Sequence, residues 1–167
     1  GSEYLERVHG VLSGIVKYPD LNLEKGIVDV LIACSQKGML SSAQPGSLGG
    51  LATAIARSCI SGADGAKGAK ISIEAMRWLF VTNHRIDAVL FGECDSFVVV
   101  SFSSEYEDAI SELCSAKGVP FAVIGEVVPD GFSIDMCVRC GEARVIDASF
   151  KEMADAYHGG MRRALGS

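Results

Sequence analysis

The feature that most constrains the fold is a glycine-rich loop that runs directly into a helical pattern, between residues 41 and 62. Pro45 and Gly46 predict a turn, and Ser47 is a suitable N-cap for the helix that follows. Apolar residues then recur at helical spacing: Leu51, Ala52, Ile55, Ala56 and Cys59. We therefore expect one face of this helix to pack into the core, with the loop leading into its N-terminus.

Two adjacent glycines in this loop, Gly49 and Gly50, indicate a possible binding role. Glycine has no Cβ, so backbone N–H groups can approach a ligand closely at these positions. The positive end of the helix dipole would then favour a phosphate or a carboxylate. The same residues also fit an ordinary capped helix after a turn, and on this segment alone that simpler interpretation is preferred because a glycine pair is a weak signal.

Composition limits the possible classes of protein. The chain has 167 residues, of which 49% are hydrophobic and 22% charged, which predicts one folded domain with a good-sized core. A net charge of −6 lacks the basic surface of a nucleic-acid binder and excludes DNA and RNA as main partners. No apolar run reaches the roughly 18 residues of a membrane helix, so we expect a cytoplasmic protein. Gly1-Ser2 resembles the remnant of a cleaved tag, and a single domain is expected over residues 3–165.

The rest of the chain changes between helical and extended patterns. Helices are predicted over residues 4–15, 23–37 with Asn22 as the cap, 104–117, and from Ser149 to the glycines 159–160. Strand-like segments are predicted over residues 70–73, 86–91, 96–102 and 120–128, followed by a hairpin over residues 132–146 that turns at Cys140-Gly141. This order predicts an α/β (α+β) domain in which helices cover a mixed sheet.

The six cysteines raise the question of a metal site. Cys137 and Cys140 have the spacing of one zinc knuckle, but a structural zinc ion needs four ligands. The sequence has no second such pair, and His9, His84 and His158 are far apart. A hairpin turn with two incidental thiols is therefore preferred, and we expect reduced cysteines. No nucleophile motif stands out either, so we assign no catalytic residue.

The loop between the segments 86–91 and 96–102 carries two acids, Glu93 and Asp95. They could hydrogen-bond or coordinate a polar ligand. Carboxylates in loops are also often simply solvated, and the sequence leaves both interpretations open.

Both loops resemble motifs that a known family contains in the same order. Ser47-Leu-Gly-Gly-Leu51 resembles S-D-G-G-L, and Leu90-Phe-Gly-Glu-Cys-Asp-Ser96 resembles L-F-G-E-S-Q-S-R. Three further segments match along the chain: Ser2-Glu-Tyr-Leu5, Met39-Leu-Ser-Ser-Ala43 and Gly118-Val-Pro-Phe-Ala-Val-Ile-Gly125. Over residues 2–163 the chain resembles the C-terminal domain of the aminoimidazole ribonucleotide synthase superfamily, and in particular the phosphoribosylformylglycinamidine synthase family.

This resemblance implies a role in purine biosynthesis. Family members carry out the ATP-dependent conversion of formylglycinamide ribonucleotide to the amidine, and an N-terminal synthase domain supplies the ATP and Mg²⁺ ligands. The implied partners are that N-terminal domain, a glutaminase subunit or domain that supplies ammonia, and the small-molecule ribonucleotide. The resemblance implies phosphate or substrate contacts for six residues of the two loops: Ser47, Gly49, Gly50, Gly92, Glu93 and Ser96. It implies no metal ligand in this chain.

The chain departs from the family pattern at both loops. The family's first loop reads H-D-x-S-D-G-G, whereas residues 44–50 lack the histidine and both acids, and Phe97 stands where the second loop has arginine. These losses support an alternative: a diverged, non-catalytic structural or binding domain of the same fold. Either way, the isolated domain is expected to be inactive and to bind neither ATP nor Mg²⁺. Leu48 and Phe97 are expected to be exposed, which predicts a possible homo-oligomer.

We predict that the purified chain contains no stoichiometric zinc and that its thiols are free, because one Cys-x-x-Cys pair supplies at most two of four ligands. Elemental analysis of protein purified without added metal measures the zinc content. One zinc ion per chain would contradict the prediction.

Overall fold

The computed structural model describes residues 2–14, 18–46, 48–61, 67–76, 85–93, 96–128, 135–140 and 143–164. The helices are α1 (Glu3–His9), α2 (Leu21–Gln36), α3 (Gly50–Ile60), α4 (Ile86–Phe91), α5 (Glu107–Ala116) and α6 (Phe150–Ala164). The strands are β1 (Leu40–Pro45), β2 (Gly68–Ser72), β3 (Val98–Phe102), β4 (Gly125–Val128), β5 (Asp135–Cys140) and β6 (Ala143–Ser149). The predicted α+β class is confirmed.

The chain forms two compact units, and one of the three boundaries between them in sequence falls within α3. The first unit comprises Gly1–Ala54 and Leu79–Ala122, and the second comprises Ile55–Trp78 and Val123–Ser167. In the first unit β1 and β3 pair antiparallel. In the second unit the strand order is β4-β2-β5-β6, with β2 and β5 parallel and the other pairs antiparallel. The predicted mixed sheet therefore lies in the second unit, and β1–β3 form a separate sheet.

The core of the first unit lies between α2 and α5. Val30 and Cys34 of α2 pack with Ile110 and Cys114 of α5, and each is at most 6% exposed. Residues four apart in a helix share one face, so each helix contributes one apolar stripe, as the sequence predicts. Burial raises the pKa of both thiols, which keeps them protonated and poorly nucleophilic.

The start of α2 differs from the prediction. Asp20 Oδ1 accepts hydrogen bonds from the N–H groups of Asn22 (3.0 Å) and Leu23 (3.2 Å). Asp20 is therefore the N-cap, and the choice of Asn22 was wrong. Both residue types are good caps, and sequence alone does not decide which of two candidates takes the extended conformation.

Glycines end one predicted helix early and fail to end another. Gly10 adopts φ +64°, and its N–H donates to the Glu6 carbonyl, so α1 stops at His9 rather than near residue 15. At the other end of the chain, α6 continues through Gly159 and Gly160 to Ala164. The expectation that the helix ends at these two glycines was wrong, since a helix interior tolerates glycine at a modest energetic cost.

Two segments take a different secondary structure from the predicted one. Residues 86–91 form helix α4 instead of a strand, because a short apolar run does not distinguish a buried strand from a buried helix. Residues 40–45 form β1 rather than a loop, and Pro45 ends the strand opposite Val98. Proline is tolerated at the end of such an edge strand. The predicted strand 120–128 is shorter, since only Gly125–Val128 pair with β2.

The second unit is built on β2, which lies between β4 and β5. Ala69 and Ile71 of β2 are buried. Cys59 is also buried, and this raises its pKa to about 11. The predicted hairpin is confirmed as β5–β6, whose turn residues 141–142 lie outside the described residues. Ser149 caps α6 as predicted, and its N–H donates to Glu152 Oε2 at 2.8 Å.

No helix in the described part of the chain is long and apolar enough to cross a membrane.

Gly26 in the middle of α2 provides a test of the α2–α5 packing. A Cβ at this position would lie 2.9 Å from Val119 Cγ2 and 3.1 Å from the Lys117 carbonyl oxygen. We therefore expect Gly26→Ala to lower the free energy of unfolding by up to about 2 kcal/mol, because an overpacking cost of about 1–3 kcal/mol outweighs a gain in helix propensity of about 1 kcal/mol. Urea unfolding followed by circular dichroism measures the change.

The matched control is Gly160→Ala in α6, where a Cβ would meet nothing within 4 Å. This variant should gain stability, by about 1 kcal/mol, from helix propensity alone. Equal gains in the two variants would refute the close packing at Gly26.

Candidate functional site

The two glycine loops, which are distant in sequence, meet in the first unit. A Cβ on Gly50 would lie 2.7 Å from the carbonyl oxygen of Gly92 and 2.8 Å from the carbonyl carbon of Phe91. Gly49 and Gly50 also have φ values of +85° and +70°, which disfavour any side chain. The start of α3 can therefore lie directly against the end of α4 only because these positions are glycine.

Glu93 links the two loops through its side chain. Its Oε1 atom accepts hydrogen bonds from the N–H of Gly49 at 2.9 Å and from the N–H of Glu3 at 2.8 Å. The carboxylate thus supplies negative charge just before the N-terminus of α3, where a helix dipole favours an anion. One residue predicted to contact a ligand therefore binds another residue of the predicted site.

Ser96 is tied to a different element. Its hydroxyl donates to Glu24 Oε1 in the first turn of α2 at 2.5 Å. Glu24 could not be identified from the sequence, because an acid in the first turn of a helix is an ordinary helix feature that carries no sign of a distant partner.

Phe97 packs against the first loop. The Phe97 carbonyl accepts a hydrogen bond from the N–H of Gly46 at 2.9 Å, and a Cβ on Gly46 would overlap the Phe97 ring. Phe97 is half-buried, so the expectation that it is exposed was wrong. Leu48, in contrast, is 69% exposed, as expected.

The structure thus brings together four of the predicted site residues: Gly49, Gly50, Gly92 and Glu93. Ser47 and the acid Asp95 lie outside the described residues. A ligand-binding role for the six residues stays a prediction. Within the described ranges, no three His, Cys, Asp or Glu side chains converge where they could hold a metal ion.

The described part of these loops does not fit a nucleotide phosphate in the arrangement seen. The Gly49 N–H donates to Glu93, whose negative charge would repel a phosphate placed there. Gln44, Leu48 and Phe97 carry no positive charge that could offset this repulsion. The chain would have to open the Glu93–Gly49 contact, or use other groups, to hold a phosphate at this position.

A family model matches residues 1–136, and its description is "AIR synthase related protein, C-terminal domain". Because the match covers most of the chain, the chain belongs to this family.

Its relatives and structural neighbours agree with that assignment. The chain is 35% identical over 131 residues to the phosphoribosylformylglycinamidine synthase subunit PurL of Symbiobacterium thermophilum, a match that covers 78% of this chain and 16% of the relative. It is 33% identical over 166 residues to PurL of a Parafrankia species, which covers 99% of this chain and 20% of the relative. The chain therefore spans a fifth or less of these two relatives.

The solved structure of T. maritima PurL complexed with ATP has the same fold. The comparison gives a TM-score of 0.66 at 19% identity and covers 85% of this chain and 23% of that one.

Gly50→Ala tests whether the loops must lie this close. The variant combines an unfavourable left-handed φ, worth about 1–2 kcal/mol, with overlap at the Gly92 carbonyl, worth about 1–3 kcal/mol more. We expect the free energy of unfolding to fall by the sum of these two costs, as measured by urea unfolding.

The matched control is Gly38→Ala at the end of α2. Gly38 has a similar φ of +66°, but a Cβ there would meet nothing within 4 Å. The free energy of unfolding of this variant should fall only by the cost of the left-handed φ. A Gly50→Ala loss no larger than that of Gly38→Ala would show that the close approach is absent.

Proposed function

We propose that this chain is the C-terminal domain of a phosphoribosylformylglycinamidine synthase, which converts formylglycinamide ribonucleotide to its amidine with ATP. One observation carries the proposal. Similarity to a PurL subunit runs along 99% of the chain, and the two glycine loops within it pack against each other at Gly50 and Gly92.

In this reaction ATP activates the substrate amide oxygen as a phosphate ester. Ammonia then attacks the same carbon, and the oxygen leaves as phosphate. We propose that the chain contributes part of the wall of the substrate cleft. The Gly50–Gly92 contact fixes the spacing of the two loops, and Glu93 fixes the Gly49 N–H through its carboxylate. Such positioning lowers a barrier because reacting groups need not be ordered during the reaction.

We propose that an N-terminal synthase domain binds ATP and Mg²⁺. The misfit of the described loop residues to a phosphate supports that division of labour. Structures of T. maritima PurL have been solved in complex with ATP and with AMPPCP, which supports nucleotide binding in the longer protein.

We also propose a glutaminase partner that supplies ammonia, and a cytoplasmic location, where purine biosynthesis takes place. One similar structure is that of PurLQS from Thermotoga maritima, at 18% identity and a TM-score of 0.65. That assembly supports a multi-component synthase as the setting for the chain.

A second candidate function is a diverged domain that braces its neighbour without forming part of the cleft. Two observations favour it: Glu93 occupies the Gly49 N–H, and Phe97 covers Gly46. Both contacts use backbone N–H groups of the first loop within the protein, so these groups are not available to a ligand.

The isolated chain is expected to have no synthase activity, because positioning alone supplies neither the nucleotide nor the metal. Release of ADP or phosphate is measured with ATP, formylglycinamide ribonucleotide, and glutamine or ammonia. Release above the blank would contradict the prediction.

A pair of chimeras separates the two candidate functions. In one, this chain replaces the matching domain of the Symbiobacterium thermophilum PurL. In the other, the same chain carries Leu48→Asp and Phe97→Arg. Activity in both would support a domain that forms part of the cleft, whereas activity in the second alone would support the diverged domain. Two folded but inactive chimeras would overturn the proposed function.

A further inference from the structure

The N-terminal helix α1 is attached to the first unit without burying any of its residues. Val8 is 62% exposed, and Leu12, just beyond the helix, is 79% exposed. Core packing therefore contributes little to holding this helix in position. The question is which contacts fix it.

In the described part of the chain, α1 makes two contacts that lead to the second glycine loop. The ring of Tyr4 stacks on the ring of Phe91, with centroids 4.8 Å apart and planes 11° apart. One residue earlier, the Glu3 N–H donates to Glu93 Oε1 at 2.8 Å. Phe91 ends α4 and is followed by Gly92 and Glu93, so α1 lies against the start of that loop.

The same oxygen of Glu93 also accepts the Gly49 N–H at 2.9 Å. Both hydrogen bonds end on Oε1, so the two donors together fix the orientation of the carboxylate. When α1 leaves, the carboxylate loses a donor that fixes this orientation, and it becomes free to turn toward water. The Gly49 hydrogen bond then forms less of the time, because a carboxylate with one donor fewer has more rotational freedom to lose when it binds the Gly49 N–H.

We propose that α1 is a strap whose docking controls the order of the Gly49–Gly50 loop through the Glu93 carboxylate. Docking of Tyr4 on Phe91 orients Glu93, and Glu93 in turn fixes the Gly49 N–H. Release of the strap frees that N–H. This inference does not depend on the proposed function, since the coupling operates whatever the loop binds.

Hydrogen exchange of the whole chain, followed by NMR, tests the coupling. Tyr4→Ala removes the ring stack and leaves Glu93 and Gly49 unaltered. The strap then opens more often, and exchange should rise about tenfold at both the Glu3 and the Gly49 amides. A rise at Glu3 with no change at Gly49 would overturn the proposal, and so would no change at either amide.

Two further variants strengthen the test. Glu93→Ala removes the shared acceptor and should raise exchange at both amides, whereas Glu93→Gln keeps an oxygen acceptor and should raise it less. Tyr4 contacts the ring of His9 in its own helix, and Tyr157 of α6 contacts the ring of His158 in the same way. The matched control is therefore Tyr157→Ala, because Tyr157 lies in the second unit. A rise at Gly49 in this control as large as that in Tyr4→Ala would reflect general loosening and refute the strap.

Discussion

The contact between the Gly50 backbone and the Gly92 carbonyl is the constraint on which the loop region of the first unit depends. It sets where α3 begins relative to the end of α4, since a Cβ at Gly50 would lie only 2.7 Å from that oxygen. Glu93 follows Gly92 directly, and this places its carboxylate within reach of the Gly49 N–H. The hydrogen bonds of the loops are thus consequences of one close backbone approach.

Negative charge within this region is stabilised by neutral hydrogen-bond donors. Glu93 lies at the N-termini of α3 and α1, and Glu24 in the first turn of α2 accepts the Ser96 hydroxyl. Both carboxylates lie where helix dipoles and N–H or O–H donors stabilise negative charge. A loop pair that satisfies its own donors is well ordered, but it offers fewer free donors to a ligand. The structural and the binding interpretations of these loops therefore depend on the same hydrogen bonds. The structural interpretation needs these bonds to stay formed, and the binding interpretation needs them to open so that a ligand can take the donors.

The sequence predicted the fold best where a regular stripe and a clear terminus coincide. Val30 and Cys34 of α2 and Ile110 and Cys114 of α5 lie in the core as their spacing indicates. Predictions failed where tertiary contacts decide the outcome. Residues 86–91 are too short a run for periodicity to distinguish helix from strand, and β1 forms because β3 is available to pair with it. Neither partner can be identified from local sequence.

The candidate site shows which structural features a sequence motif can predict and which it cannot. The resemblance selected Gly49, Gly50, Gly92 and Glu93 as ligand contacts, and the structure places these four residues together, where a backbone that approaches a carbonyl this closely admits glycine alone. It could not reveal that Glu93 binds the Gly49 N–H, since hydrogen-bond partners are set by side-chain orientation in three dimensions. Positions 48 and 97 can change from charged to apolar without disturbing that backbone contact. The glycines therefore account for the close approach of the two loops, whereas a role of positions 48 and 97 in stabilising a phosphate stays a prediction.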